Sequence, residues 1–567
     1  MKHKGLNIFL AATFLLSVTS CDLFDLDINT DPNNPSQAAP ELLLTSAQVN
    51  GIFTFAGGMN NNASGFVGQT TSADNFFFNN QSYNGTWNYL YTTPLKDLDE
   101  LIVATSVDLN GDGKADNPHY LGISQVLKSY YFSIMVDFWG DIPYSEAFKG
   151  NATPQIKTPV YEDDAAIYAD CIKLLDAALA NFALPSAVTV RGDLFYTGNI
   201  TRWKKAATSL KLKLLIQTRL VNSNAKADIQ AVINSGNLIT AAADNFRFEF
   251  SKSINPDFRH PWHSSGYSGA DYGFDYLGHQ FMLELITNND PRLPFYVKRQ
   301  TKVILNPIDP SQKQTIPCSQ RSDCTYGYFP TSKFVTQKVY GKDPSALTTA
   351  EAEYLAGFFG RDRSDPSGIP NDTGFRTAVG VYPAGGLYDD APEGAILNRG
   401  TGNGIFPIAT TWMVKFWELE AMLTLGVTVP GETDVTLLTK AMNEQFTVVN
   451  AMGVANDPGT VAITTAAQTA YVSGWVTKYN TSTNKLATAL KQAWFTNWGN
   501  GLELYNTFRR TGYPNDLQLP LQLPGNFALR VPYAQDELNL NPNTPVKPYD
   551  KPEAALFWDQ LKFQFVK

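Results

Sequence analysis

The chain has 567 residues, of which 43% are hydrophobic and 17% are charged, an ordinary composition for a globular protein with a large core. Its formal net charge of -9 disfavours nucleic acid as a partner, because nucleic-acid binding needs a basic surface. Aromatic residues make up 13% of the chain, which fits either core filling or the display of flat apolar faces.

The first twenty residues have the pattern of an export signal. Lys2, His3 and Lys4 form a basic head, and residues 6–18 are uncharged and mostly apolar. This run is shorter than the roughly 20 residues that cross a membrane, so it predicts export rather than a transmembrane helix. A buried N-terminal helix and an ordinary cleaved signal are the alternatives.

The sequence VTSC at 18–21 resembles the bacterial lipobox, in which the cysteine becomes the first mature residue and is acylated. The resemblance implies that Cys21 is a lipid anchor, since several acyl chains on one residue hold a chain firmly in a membrane. We therefore predict a lipoprotein signal peptide at 1–20, a flexible tether rich in Asp, Asn and Pro at 21–40, and a single domain at 41–567.

Apolar residues at helical spacing predict a mainly helical body. Helices are predicted at 120–137, 161–182, 200–221, 227–235, 350–358, 410–425, 437–452, 466–479 and 485–504. Neighbouring antiparallel helix pairs suggest repeat-like stacking, although no fixed-period repeat is present. Long irregular stretches at 246–275, 303–345 and 360–408 are expected to carry function.

Two aromatic and polar stretches, 72–91 and 255–276, form the predicted ligand site. Sugars stack their C–H faces on flat aromatic rings, and their hydroxyl groups bind Asp, Asn, Gln and Arg. Trp87 and Tyr91 are expected instead to pack inward at the start of a helix. The residues predicted to contact ligand are Asp74, Asn75, Phe77, Phe78, Tyr83, Asn84, Trp262, Tyr267, Asp271 and Tyr272.

The segment DLNGDGKAD at 108–116 has the oxygen spacing of a calcium loop, with Gly113 at the tight turn. The predicted ligands are the carbonyl group of Lys114 and the side chains of Asp108, Asn110, Asp112 and Asp116. His119 stands where a full EF-hand has a bidentate Glu. The segment therefore predicts a structural calcium ion, and the alternative is a polar turn between two helices.

Cysteine spacing predicts one disulfide bond. Cys318 and Cys324 flank a short polar loop in a chain that is predicted to leave the cytoplasm. Cys171 lies in an apolar helical pattern and is expected to be a buried thiol.

Three short polar motifs are expected to have structural roles. His260 and His263 are weak evidence for a metal pair, and GTGNG at 400–404 is interpreted as a flexible turn. Arg509 and Arg510 form the most concentrated basic cluster and are expected to pair with acidic residues, which would fix the C-terminal segment.

Seven phrases occur in order along nearly the whole mature chain. They are NTDPNNPSQAAPELLLTSA (29–47), VDFWGDIPYSEA (136–147), ITRWKKAATSLKLKLLIQTR (200–219), DPRLPFYV (290–297), GVYPAGGLYD (380–389), WMVKFWELEAML (412–423) and KQAWFTNWGNGLELYNTFRRTGYP (491–514). Together they resemble the SusD/RagB-type nutrient-binding outer-membrane lipoproteins, and the SusD-like subgroup in particular. Lys415 and Trp417 depart from the pattern of this family, which leaves the local packing there open.

The resemblance implies a mainly α fold in which tetratricopeptide-like helix pairs form one body with long irregular loop insertions and minor β-hairpins. It implies a lipid-anchored protein at the outer membrane, exposed at the cell surface. It also implies a SusC-like TonB-dependent transporter as the partner, over which the lipoprotein acts as a hinged lid.

The ligand that this resemblance favours is an oligosaccharide, and a peptide is the alternative. Neither G-x-S-x-G nor H-E-x-x-H occurs, so the sequence favours a binding protein over an enzyme. A glycoside hydrolase, which needs only two carboxylates, and a purely structural surface protein remain the rival classes.

Overall fold

The computed structural model describes residues 38–71, 76–267, 276–300, 329–365, 377–392, 396, 399–521 and 526–565. The predicted signal peptide, most of the predicted tether, the anchor Cys21 and the pair Cys318 and Cys324 lie outside these ranges. The same is true of Asp74, Asn75, Asp271 and Tyr272. The predictions that depend on these residues stay predictions.

Helices dominate the described chain. In chain order they are α1 Pro40–Thr54, α2 Asn60–Phe66, α3 Asn84–Thr92, α4 Pro94–Thr105, α5 Pro118–Trp139, α6 Asp164–Ala183, α7 Ile200–Gln217, α8 Ala225–Asn234, α9 Pro261–Tyr267, α10 His279–Thr287, α11 Leu293–Tyr296, α12 Lys333–Tyr340, α13 Thr349–Leu355, α14 Val381–Ala384, α15 Thr411–Leu425, α16 Asp434–Asn456, α17 Thr465–Thr481, α18 Lys485–Thr496, α19 Gly501–Thr511 and α20 Gln535–Leu540. The fold class predicted from apolar spacing is confirmed.

Most predicted helices are present with ends shifted by a few residues, and local caps explain the shifts. Asp163 begins α6 three residues after the predicted start at 161, because its side chain accepts a hydrogen bond from the N–H of Ala166. Thr433 and Thr436 form a capping box, so α16 begins three residues before the predicted start at 437.

The predicted single helix at 485–504 is wrong, because the chain breaks between α18 and α19. The side chain of Asn500 accepts a hydrogen bond from the N–H of Glu503 and begins a new helix there. Asn60 in α2 holds the break from both sides: its Nδ2 donates to the carbonyl oxygen of Gly499, and its Oδ1 accepts from the N–H of Gly501 at 2.6 Å. A Cβ atom at Gly501 would lie 2.3 Å from Ser64 Oγ, so glycine permits this close approach.

The strands are short and pair across long sequence distances. They are β1 Thr70–Thr71, β2 Phe246–Glu249, β3 Tyr276–Leu277, β4 Val297–Lys298, β5 Ala378–Val379 and β6 Ile405–Ala409. Among the described residues they form three antiparallel two-stranded sheets, β1 with β3, β2 with β6 and β4 with β5. These sheets attach the loop insertions to one another rather than forming a separate layer.

Neighbouring helices pack on one another, as the tetratricopeptide-like interpretation predicts. Contacts run from α5 through α6 and α7 to α8, and again from α15 through α16 and α17 to α18. The buried apolar side chains form one continuous core that includes Cys171, as expected for a buried thiol. Within the described ranges, no helix is both long enough and apolar enough to cross a membrane.

A buried ion pair connects α19 to α15. Arg510 Nε and Nη2 donate to the two carboxylate oxygens of Glu420 at 2.8 and 2.9 Å, and Arg219 Nη2 lies 3.1 Å from the same carboxylate. Glu503 accepts a hydrogen bond from Trp417 Nε1 at 2.8 Å and lies 3.5 Å from Lys213 Nζ in α7. The predicted acidic partner is therefore confirmed for Arg510. Trp417 also has a defined place in the packing.

Arg509 makes different contacts from its neighbour. Its Nη1 donates to the carbonyl oxygen of Leu529 at 2.7 Å, and its Nη2 donates to Asn506 Oδ1 at 2.5 Å. Its guanidinium group lies 3.6 Å from the centroid of the Tyr505 ring and 4.7 Å from that of Trp558. Arg509 thus fixes the C-terminal segment through a backbone carbonyl group and aromatic rings rather than through a carboxylate.

Replacing Glu420 with alanine should lower the free energy of unfolding by about 3–5 kcal/mol, because the buried Arg510 and Arg219 would lose their nearest carboxylate. The matched control is Glu100→Ala, which removes the exposed partner of Lys96 and should cost about 0.5 kcal/mol or less. Urea denaturation of the chain beginning at residue 21, with Cys21→Ser, measures both. Equal losses for the two variants would contradict the role given to this pair.

Candidate functional site

The sheet of β1 and β3 brings the two predicted ligand stretches together. Thr70 pairs with Leu277, and Thr71 pairs with Tyr276. Residues 72–75 follow β1 directly, and residues 268–275 directly precede β3. The stretches 72–91 and 255–276, which are distant in sequence, therefore meet at one small sheet.

A charged loop at 361–365 packs against this sheet. The N–H of Arg361 donates to Leu277 O at 3.1 Å, and the N–H of Ser364 donates to Thr71 Oγ1 at 3.1 Å. The loop is joined in turn to a fourth segment, because the N–H of Leu521 donates to Arg363 O at 2.9 Å. We call residues 70–71, 276–279, 361–365 and 518–521 the strand-end platform.

The charged side chains of the platform are held by its own groups. Arg361 lies over the Tyr276 ring at 4.5 Å from its centroid. Asp362 Oδ1 accepts a hydrogen bond from Gln518 Nε2 at 3.1 Å and lies 3.8 Å from His279 Nδ1. These charged side chains therefore hold the segments of the platform together.

Arg363 also holds segments together at the platform. It donates to Gln518 O at 2.9 Å and to Phe66 O, and its guanidinium group lies 5.1 Å from the centroid of the Phe76 ring. Burial lowers the pKa of Arg363 to about 9. The sequence analysis did not select residues 361–365, although the alternating charges of RDRSD were a visible signal within a predicted irregular stretch.

Phe77 is displayed as predicted. Its side chain is 59% exposed, six residues after the end of β1 in the sequence. Phe78 is half-buried, with its ring 5.6 Å from Phe66 and 5.8 Å from Tyr549. Asn84 is also half-buried and joins α3 to α20, because its Nδ2 donates to Asp536 Oδ2 at 2.8 Å and its Oδ1 accepts from the N–H of Asp536. Ligand contact by these residues stays a prediction.

The expected display of Tyr83, Trp262 and Tyr267 is wrong, because all three side chains are buried. The Tyr83 hydroxyl accepts a hydrogen bond from Asn62 Nδ2, and the Trp262 ring lies 5.0 Å from Trp498. The Tyr267 hydroxyl donates to Val379 O at 2.7 Å. Burying a large aromatic ring removes more apolar area from water than burying a smaller side chain, which favours packing of these rings in the core. The same effect buries Trp87, as predicted.

Phe258 is a displayed ring that the sequence analysis did not select. It is 39% exposed beside Ile254, and its ring lies 6.1 Å from Phe53. Next to it, Arg259 Nε and Nη2 donate to the Asp257 carboxylate at 2.9 and 2.7 Å, which lowers the pKa of Asp257 to about 2. The turn-forming phrase Asn-Pro-Asp before Phe258 was the available signal for a ring at a loop tip.

The two histidines of HPWH have structural roles. His260 Nδ1 accepts a hydrogen bond from the N–H of Trp262, and His263 Nε2 lies 3.0 Å from Arg399 O with its ring stacked on Tyr267. Burial lowers the pKa of His260 to about 3 and that of His263 to about 4, so both are neutral at pH 7.

The segment GTGNG at 400–404 is tightly packed, so its interpretation as a flexible turn is wrong. The N–H of His260 donates to Gly402 O at 2.8 Å. A Cβ atom at Gly402 would lie 2.6 Å from the side chain of Arg259, and one at Gly404 would lie 2.4 Å from Pro383 O. Gly402 also has φ +68°, a conformation that side chains disfavour.

The predicted calcium loop is exposed, and its side-chain oxygens accept hydrogen bonds from backbone N–H groups of the same loop. Asp108 accepts hydrogen bonds from the N–H groups of Gly111 and Gly113, each at 2.8 Å. Asn110 Oδ1 accepts from the N–H of Asp112 at 2.9 Å, and Asp116 Oδ2 accepts from that of Leu109 at 2.9 Å. These are Asx-type turns, which a polar loop forms with or without a cation.

Three carboxylates converge elsewhere in the described chain. Oxygens of Asp141, Asp163 and Asp164 lie within 4.8 Å of one another, whereas those of the 108–116 loop do not form such a group. Lys547 Nζ lies 2.5 Å from Asp141, and Asp163 caps α6, so this cluster has structural partners of its own. Calcium at 108–116 stays a prediction.

Calorimetric titration with calcium distinguishes the two acidic groups. If the 108–116 loop binds the ion, the wild type should give a saturable heat that Asp112→Ala abolishes, because one predicted ligand is removed. Asp141→Ala, in the other acidic cluster, is the control and should keep the heat. A wild type that gives no heat, or loss of the heat only in Asp141→Ala, would contradict the predicted site.

A comparison with known protein families gives a match over more than half of the chain. The model of the SusD-like_2 family, described as "Starch-binding associating with outer membrane", matches residues 32–353. No curated protein sequence matches the chain.

Solved structures match the fold over nearly its whole length. A SusD/RagB family protein of Bacteroides thetaiotaomicron is 19% identical, with a TM-score of 0.65 over 92% of this chain and 99% of that chain. A SusD homolog of Bacteroides fragilis is 18% identical, with a TM-score of 0.62 over 92% and 99%. A chitin-binding SusD homolog of Flavobacterium johnsoniae is 16% identical, with a TM-score of 0.59 over 92% and 98%.

Proposed function

Because this chain belongs to the SusD-like family of outer-membrane nutrient-binding proteins, we propose that it captures an oligosaccharide at the cell surface and delivers it to a SusC-like TonB-dependent transporter. The family is non-catalytic, and the chain is accordingly a binding protein rather than an enzyme. Its mainly helical body serves as a scaffold, and the loop insertions that meet at the strand-end platform carry the ligand site.

The observation that carries this proposal is the pairing of β1 with β3. It places the ends of two aromatic and polar stretches side by side, so that rings and hydrogen-bonding groups from both can face one ligand. Phe77, exposed where one of these stretches begins, offers a flat apolar face of the kind on which sugar rings stack. Phe258 and the Asp257–Arg259 fork offer a ring and a charged pair on the other stretch.

A saccharide is favoured over a peptide for two reasons. The family model is described as starch-binding, and one structurally similar protein is described as chitin-binding. In addition, the rings displayed in the two stretches stand next to Asn, Asp and Arg, the side chains that hydroxyl groups bind.

The proposed delivery step rests on the family and on the predicted anchor. Acylation of Cys21 would hold the chain at the outer membrane. The segment rich in Asp, Asn and Pro that follows Cys21 would let the body move as a lid over a membrane transporter. Calcium bound at 108–116 would have a structural role, remote from ligand capture.

Phe77→Ala should weaken binding of the preferred oligosaccharide about fivefold to tenfold, since one stacking face is lost. Malto-oligosaccharides and chito-oligosaccharides are the first ligands to titrate by calorimetry. Tyr354→Ala is the matched control: Tyr354 is an exposed ring on α13 outside both predicted stretches, and the variant should bind as the wild type does.

Three results would contradict parts of this proposal. Unchanged affinity in Phe77→Ala would remove this residue from the site. Saturable binding of peptides but not of glycans would favour the peptide alternative, and release of shorter sugars from a bound glycan would indicate an enzyme.

Cys21→Ser should move the protein from the outer-membrane fraction to the soluble fraction, because the acylated residue is lost. Metabolic labelling with a fatty acid should mark the wild type and not the variant. Ser20→Ala, a neighbouring change that keeps the cysteine, is the control and should stay at the membrane. Membrane retention of Cys21→Ser without label would contradict the proposed anchor.

A further inference from the structure

Helices α6, α7 and α8 enclose a surface groove of about 770 Å³. None of its lining residues belongs to the strand-end platform, so the groove is separate from the proposed ligand site. We call it the α6–α8 groove. It is lined by Ala169, Ile172, Lys173, Leu179 and Ala183 of α6, by Lys204, Thr208, Lys211 and Leu215 of α7, by Asp228, Ala231 and Val232 of α8, and by Asn222, Ser235 and Asn237 beside α8.

The groove has the form of a helix-binding site. The lining positions on α7 recur at intervals of three or four residues, and those on α6 and α8 include pairs with the same spacing, so one face of each helix lines the groove. From Ala169 to Ala183 the groove extends for about 21 Å, which is the length of an α-helix of about four turns. Its apolar residues are aliphatic and small, and among the described residues no aromatic ring lines it, which distinguishes it from a site for stacking sugars.

The groove is locally positive in an acidic chain. Lys173, Lys204 and Lys211 line it, against the single lining carboxylate of Asp228, which accepts a hydrogen bond from Asn222 Nδ2 at 2.9 Å. Lys211 is paired with Asp176 at 2.5 Å. Within the part of the chain that the structure describes, neither Lys173 nor Lys204 forms an ion pair, and both stand beside the aliphatic lining.

We propose that the α6–α8 groove binds an acidic amphipathic helix of a partner protein. Apolar side chains of that helix, spaced at i, i+3, i+4 and i+7, would cover the aliphatic lining. Its carboxylates would pair with Lys173 and Lys204, which gives the groove a preference for acidic over basic helices. This inference is independent of the ligand that the strand-end platform serves.

Two designed helical peptides of about 14 residues test the proposal. They share one leucine and alanine stripe, and their flanking positions carry glutamate in one peptide and lysine in the other. Fluorescence anisotropy with the chain beginning at residue 21, with Cys21→Ser, should show saturable binding of the glutamate peptide and at least about tenfold weaker binding of the lysine peptide. High salt should weaken the glutamate complex, because it screens the ion pairs.

A charge-reversal variant provides the second arm. The variant Lys173→Glu combined with Lys204→Glu should no longer bind the glutamate peptide and should bind the lysine peptide. Binding of the lysine peptide also shows that the variant is folded. Lys96→Glu combined with Lys333→Glu makes the same charge change at exposed sites outside the groove and should bind as the wild type does. No binding of the glutamate peptide, equal binding of both peptides, or an equal effect of the two double variants would overturn the proposal.

Discussion

The buried pair of Glu420 and Arg510 is the interaction on which the arrangement of the helices depends. Burial would raise the pKa of Glu420, but Arg510 and Arg219 lower it below its usual value, so the carboxylate stays charged inside the protein. Such a pair offsets its desolvation cost only when both groups keep all their partners. It therefore specifies where α19 lies against α15. Arg219, two residues after the end of α7, contacts Glu420, and the pair of Lys213 in α7 and Glu503 in α19 couples these helices to α7 itself.

The same helix positions the proposed ligand site. Gly501, at the start of α19, packs against α2, which is followed by β1. In the preceding helix α18, Trp494 Nε1 donates to Val67 O at 3.0 Å, and its own carbonyl oxygen accepts from Gln69 Nε2 at 2.5 Å. Residues 67–69 are thus fixed directly before β1. Contacts therefore continue from the buried ion pairs of α19, through α2 and residues 67–69, to the strand-end platform. In this way the core fixes the position of the base of the loops.

The sequence predicts much of the scaffold and little of the site. Helical spacing of apolar residues is a local signal, so most helices were predicted to within a few residues of their ends. The break at 497–500 was missed because Asn60, which holds it, is remote in the chain. The platform was missed for a similar reason, since strands of two residues have no detectable period.

Aromatic residues mark the limit of the sequence interpretation most clearly. Phe77 and Trp262 stand in similar polar phrases, yet one is displayed and the other lies against Trp498 in the core. Composition cannot separate the two outcomes, because they depend on which distant side chain is available for packing. Charge is more informative: the basic cluster of Arg509 and Arg510 predicts an acidic partner, which Arg510 has in Glu420, although the sequence did not identify Glu420.

The most direct measurement of the central claim is hydrogen–deuterium exchange with and without a bound oligosaccharide. If the two stretches form one site on the strand-end platform, ligand should protect the peptides covering 72–91 and 255–276 together, and should leave α16 and α17 unchanged. Protection of only one of the two stretches, or protection confined to helices remote from the platform, would contradict the account.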